Sequence, residues 1–124
     1  MHAVVVEDDA ALRGLITTIL EDANVSVEAC PLGWQAHACI RKILPKVIIL
    51  DVRMPSVDGI QLFYLVRADP TTASIPVIFL TANPATVHDE LPNYEEMGAV
   101  LLPKPFHIPK LLELVRTALA TERQ

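Results

Sequence analysis

Four short apolar runs in this chain each stop at a polar residue, and helix-periodic segments stand between them. Val47-Ile48-Ile49-Leu50 runs into Asp51, Ala3 to Val6 into Glu7-Asp8-Asp9, and Pro76 to Leu80 into Thr81, while Ala99 to Leu102 is followed by Pro103 and Lys104. Each run reads as a strand, and Val47 to Leu50 has the pattern of a central parallel strand covered on both faces. Val25 to Ala29 alternates apolar and polar residues and supplies a fifth, half-covered strand.

Leu12, Leu15, Ile16, Ile19, Leu20 and Ala23 recur at offsets of three and four, with Asp8 or Asp9 ahead of them as N-cap and Asn24 suited to the end. Residues 34–43 have helical composition after the break at Pro31-Leu32-Gly33. Ile60 to Ala68 forms an apolar helix that Asp69-Pro70 stops, because proline disfavours helical backbone in the residue before it. Ile108, Leu111, Leu112, Val115 and Leu119 repeat the helical offsets, with Pro109 in the first turn, where its missing N–H is no loss. Between Thr81 and Gly98 the helical signal is weak, and Pro84 and Pro92 interrupt it. Parallel neighbours need crossover connections of one hand, so the expected fold class is α/β, a doubly wound five-stranded parallel sheet with helices on both faces. The length suits one domain over residues 1–124, with no repeat, linker or output domain expected.

A formal net charge of −5, with Lys and Arg scattered, argues against direct nucleic-acid contact. No apolar run approaches the roughly 20 residues that cross a bilayer, and no export signal leads the chain, so no membrane contact and a cytoplasmic location are expected. Cys30 and Cys39 are the only cysteines, and in that compartment they are expected as small reduced apolar residues rather than as a disulfide. The four histidines are too dispersed to show zinc-ligand spacing.

Open parallel sheets build their sites at the C-terminal ends of the strands. That edge gathers Asp8, Asp9, Asp51, Thr81 and Lys104. Carboxylates crowded there repel by about 4 kcal/mol per pair at 4 Å and an effective dielectric near 20, so a cation is required. Mg²⁺ suits an oxygen donor set that also meets phosphate, and Lys104 adds a second positive charge. An aspartate so placed can attack a phosphoryl group to form an acyl phosphate, with metal, Lys104 and the Thr81 hydroxyl covering the phosphate oxygens. No Ser-His-Asp or Cys-His set competes for the site, and no glycine-rich phosphate loop implies a nucleotide.

Over nearly its whole length the chain resembles the receiver domains of two-component response regulators. The resemblance rests on Glu7-Asp8-Asp9, on Leu50-Asp51-Val52-Arg53-Met54-Pro55 with Asp58-Gly59, on Ile75 to Ile78 with Leu80-Thr81-Ala82, and on Lys104-Pro105-Phe106. It implies a (βα)₅ flavodoxin-like sheet ordered 2-1-3-4-5, with Asp51 phosphorylated by a sensor histidine kinase or a phosphotransfer protein. It further implies Asp8, Asp9, Asp51 and the Arg53 backbone carbonyl around Mg²⁺, Thr81 and Lys104 on the phosphoryl group, and a cis peptide between Lys104 and Pro105. Glu7 is read as tuning the field, and Arg53 and Asn83 as positions that influence phosphate lifetime. A homodimer, an output domain and a downstream protein are the further partners that the resemblance allows. The chemistry expected is self-phosphorylation and self-dephosphorylation, not turnover of a metabolite.

The sequence departs from that family in two places. Leu101 stands where the fifth strand usually carries a Tyr or Phe that moves inward on phosphorylation, and Pro92 falls where the fourth helix should run, so that helix is expected to be short, broken or displaced. Both departures leave room for an alternative function, a receiver-like module that docks its partner constitutively or serves as a phosphate sink. A phosphatase of the haloacid-dehalogenase type is disfavoured, since Arg53 stands where a second aspartate would be needed.

Overall fold

The computed structural model describes residues 3–30, 33–52 and 59–120. Strand and helix alternate throughout: β1 Ala3–Val6, α1 Ala10–Asp22, β2 Val27–Ala29, α2 Gly33–Ile43, β3 Val47–Asp51, α3 Gly59–Ala68, β4 Val77–Thr81, α4 Pro84–Glu90, β5 Ala99–Pro103 and α5 Ile108–Ala120. The strands form one sheet in the order β2-β1-β3-β4-β5, every pairing parallel, as the resemblance implies.

Three of the four unbroken apolar runs are the central strands β1, β3 and β4, and the fourth is the edge strand β5. Every residue of β1, β3 and β4 is buried, whereas the edge strands β2 and β5 are partly exposed. Alternation of side chains along each strand divides the core in two. Val4, Val6, Ile48, Leu50 and Phe79 face α2 and α3, whose Ile40, Leu62, Phe63 and Val66 meet them. Val5, Ile49, Ile78 and Leu80 face α1 and α5, against Ile16, Leu20, Leu111 and Val115.

Helix α4 ends at Glu90. Leu91 has φ −143° and ψ 66°, outside helical geometry, as expected for the residue before Pro92. A run of turns then replaces the rest of the expected helix, burying Leu91 and Tyr94. Arg67 at the end of α3 holds this run down: its Nε donates to the Met97 carbonyl at 2.6 Å, its Nη2 to the Gly98 carbonyl at 3.2 Å, and its guanidinium lies 4.7 Å from the Phe63 ring centre. Gly98, at φ +84°, is needed twice over, because a Cβ there would also lie 2.9 Å from Arg67 Nη2.

The cysteines differ from expectation. Cys30, just past β2, and Cys39, on α2, are joined in a disulfide, so neither is a free thiol. An argument from compartment cannot register that a strand end and a helix turn bring two sulfurs together.

Candidate functional site

Glu7, the first residue past β1, is buried with 1% exposure, and Asp51, the last of β3, with 3%. Parallel pairing of β1 and β3 sets Val6 beside Leu50, so the residues that follow share the sheet edge. Carboxylate oxygens of Glu7, Asp8 and Asp51 all lie within 4.8 Å of one another. Lys104, just past β5, reaches both buried acids, its Nζ 3.3 Å from Asp51 Oδ1 and 3.5 Å from Glu7 Oε1. Its backbone N–H donates to the Thr81 carbonyl at 2.8 Å, which ties the lysine's position to the end of β4.

The acidic set is not the one expected. Asp9 is the N-cap of α1: its Oδ1 accepts from the N–H groups of Ala11 at 3.0 Å and Leu12 at 3.3 Å, satisfying donors that the helix start leaves open. The carboxylate that stands with those of Asp8 and Asp51 is that of Glu7, which was expected to tune the field rather than to bind the ion. Asp9 Oδ1 is engaged at the helix start, while the Glu7 carboxylate, two places earlier, stands in the crevice with Asp8 and Asp51. Arg53, whose carbonyl is the remaining expected ligand, lies outside the described residues.

Burial pushes the Glu7 carboxyl up to about 7, and a hydrogen bond and like charge from Asp51 add to the shift. The Asp9 N–H, donating to Glu7 Oε2 at 3.2 Å, and the Lys104 charge pull the other way and only partly offset it. Near pH 7 the Glu7 carboxyl is therefore shared between its protonated and ionised forms, and a cation would favour the ionised one. Oxygen donors alone, crowded and negative, match the chemistry of a hard divalent ion such as Mg²⁺.

Thr81 is buried at the end of β4, and its Oγ1 accepts the Asn83 N–H at 3.0 Å, leaving the hydroxyl hydrogen to donate elsewhere. Asn83 is the N-cap residue of α4 but makes no side-chain cap bond. The Lys104–Pro105 peptide is cis, as the resemblance implies. Leu101 is partly buried on β5, beside Phe79 of β4, and packs against the α2–α3 side of the core. Gly59 opens α3 against the end of β3, where a Cβ would lie 2.2 Å from the Asp51 carbonyl oxygen.

This fold, with acids and a lysine gathered on the strand ends, defines a receiver-type module, and comparison with known proteins agrees. The model of the response regulator receiver domain matches residues 3–116, and the chain belongs to that family. Among curated relatives, the DNA-binding dual master transcriptional regulator RpaA of Synechocystis is 32% identical over 116 residues, covering 94% of this chain and 48% of that protein. The chain spans about half the length of the first curated relatives it matches. Among solved structures, the Vibrio cholerae chemotaxis protein CheY4 superposes with a TM-score of 0.82 at 30% identity, covering 95% of this chain and 98% of that one. The receiver domain of the Pseudomonas aeruginosa sensor histidine kinase PA1611, described with a magnesium ion coordinated in its active-site cleft, superposes at 0.85 with 26% identity, covering 97% of this chain and 98% of that one.

Proposed function

We propose that the chain is a phosphoacceptor receiver in two-component signalling, taking a phosphoryl group on Asp51 from a phosphohistidine of a sensor kinase or phosphotransfer protein. The observation that carries this reading is the contact of Lys104 Nζ with Asp51 Oδ1 beside the Glu7 and Asp8 carboxylates. Glu7, Asp8 and Asp51 would hold Mg²⁺, which would neutralise the charge that gathers on the phosphoryl oxygens. An Asp51 carboxylate oxygen forms the new bond to phosphorus as the bond to the histidine nitrogen breaks, giving an acyl phosphate and a free imidazole. Lys104 and the Thr81 hydroxyl then bind the phosphoryl oxygens. Transfer of this kind asks for positioning and charge neutralisation rather than further covalent chemistry, and these residues supply both.

A surface hollow beside the site supports docking of the donor. An apolar hollow of about 520 Å³ lies beside Lys104, lined by Leu12 and Leu15 of α1, Ala82, Pro105, Phe106 and Ile108. Leu15 and Ile108 are about half exposed there. A helical phosphodonor docked on these side chains would present its histidine to the strand ends. Residues 1–124 act in this reading as one signalling unit of the cytoplasm that changes its partner binding and does not turn over a metabolite.

Intact-mass measurement after incubation with acetyl phosphate and Mg²⁺ tests the chemistry. One added phosphoryl group is expected, absent in Asp51→Asn and absent with chelator. An unmodified wild type, or an undiminished gain in Asp51→Asn, would remove Asp51 from the role.

A further inference from the structure

Cys30 and Cys39 take no part in the chemistry at the strand ends, yet their bond joins the end of the edge strand β2 to helix α2. Edge strand β2 has no fully buried residue, and among the described side chains of α2 only Ala36 and Ile40 are buried. The Cα atoms of the pair lie 6.7 Å apart, inside the span that a disulfide bridges. Cys30 is buried, with its N–H donating to the Val5 carbonyl at 2.8 Å, while Cys39 is partly exposed. The far side of α2 is tied differently: His37 Nε2 lies 3.2 Å and Arg41 Nε 2.8 Å from Asp69 Oδ2, just past α3. Helix α2 is thus fastened covalently to the sheet edge and ionically to α3.

We propose that Cys30 and Cys39 are a reversible thiol–disulfide pair, a second input to the domain that sets how firmly α2 is held against the sheet. Exchange needs a sulfur open to attack and a leaving thiolate, and partly exposed Cys39 and buried Cys30 suit those parts in that order. A thiolate of a dithiol reductant attacks Cys39 Sγ, the protein S–S bond breaks, and Cys30 leaves as a thiolate that takes a proton. The second thiol of the reductant then attacks the mixed disulfide and releases Cys39 as a thiol. Two electrons and two protons reach the protein, and the reductant becomes a disulfide. A small disulfide such as oxidised glutathione runs the same exchange in reverse. Where thiol buffers keep cysteines reduced, a disulfide of this kind senses rather than staples.

The test equilibrates the whole chain in glutathione buffers of graded reduced-to-oxidised ratio, traps thiols with maleimide, and reads intact mass together with amide exchange along α2. A passage from no adduct to two is expected as the buffer becomes reducing. The α2 amides should exchange at least about tenfold faster in the reduced form, because the crosslink no longer restrains local opening. The double variant Cys30→Ser/Cys39→Ser should match the reduced wild type, and the wild type reduced in place gives the same reading if that variant does not fold. Two adducts at every ratio, no adduct at any ratio, or equal exchange in the two forms would each overturn the proposal.

Discussion

Lys104 Nζ lies 3.3 Å from Asp51 Oδ1, a contact made across the sheet from the loop after its edge strand to the end of its central one. The lysine also meets Glu7, so one ammonium serves two buried carboxylates while Asp8 stands close by. Among the described residues, one cation against three acids leaves the crevice short of positive charge.

Removing one acid should therefore help the metal-free fold. Asp51→Asn relieves the like charge beside Glu7, and a gain of about 1 kcal/mol in unfolding free energy at pH 8 is expected in chelator. Addition of Mg²⁺ should stabilise the wild type far more than the variant. Urea titrations with and without the ion measure both effects, and a variant less stable than wild type in chelator would contradict the charge argument.

Glu7 sets the direction of the pH dependence. Its carboxyl is raised from 4.5 to about 7 in the fold, so the stability contributed by its protonated form is complete below about pH 4.5 and is lost as pH rises through 7. Mg²⁺ requires the ionised form, and its apparent affinity should rise between pH 5.5 and 7 by up to about tenfold per unit before levelling. Calorimetry in buffers of different ionisation enthalpy would detect the released proton, and Glu7→Gln should abolish both the release and the slope.

Gly59→Ala tests the close approach of α3 to β3. A Cβ 2.2 Å from the Asp51 carbonyl oxygen and 2.7 Å from Val52 Cα meets backbone that cannot give way by rotating a side chain. A loss of about 3 kcal/mol or more is expected, with phosphorylation slowed even where the chain stays folded. Thermal unfolding and single-turnover phosphorylation read the two consequences separately.

Arg67 should be a main support of the run that replaces the end of α4. Arg67→Ala removes two hydrogen bonds to carbonyls and the stack on Phe63, and about 2–3 kcal/mol of destabilisation is expected from those contacts. Gly98→Ala should cost about 1–2 kcal/mol through its left-handed backbone. Combined, the two changes should fall short of their sum, since the alanine Cβ meets the very guanidinium that the first change removes. Denaturant midpoints of the single and double variants close the cycle.

The fold was legible because its signals are local. Unbroken apolar runs marked β1, β3 and β4, three-and-four spacing marked α1 and α5, and Pro92 stopped α4 where proline chemistry says it must. Strand order came through the resemblance, since periodicity within a strand says nothing about its neighbours. The positions of Asp51, Thr81 and Lys104 on the sheet edge were legible, since the first two end their strands and the third directly follows one. Asp9 and Glu7 were exchanged because two adjacent acids and a nearby one look alike until the first turn of α1 selects its cap. Arg67 was missed for another reason: its partners lie 30 and 31 residues away, beyond any pattern that neighbouring residues can display.

That cap has a consequence for heat as well as for geometry. Asp8, a proposed donor to the ion, is bonded in sequence to the residue that anchors the first turn of α1, so the helix end acts as the bracket on which one corner of the site is mounted. Fraying of a single turn lies at the low end of the free energies at which a protein opens. Warming should accordingly weaken ion capture at temperatures where the sheet is still intact, making the site a thermometer for the start of α1.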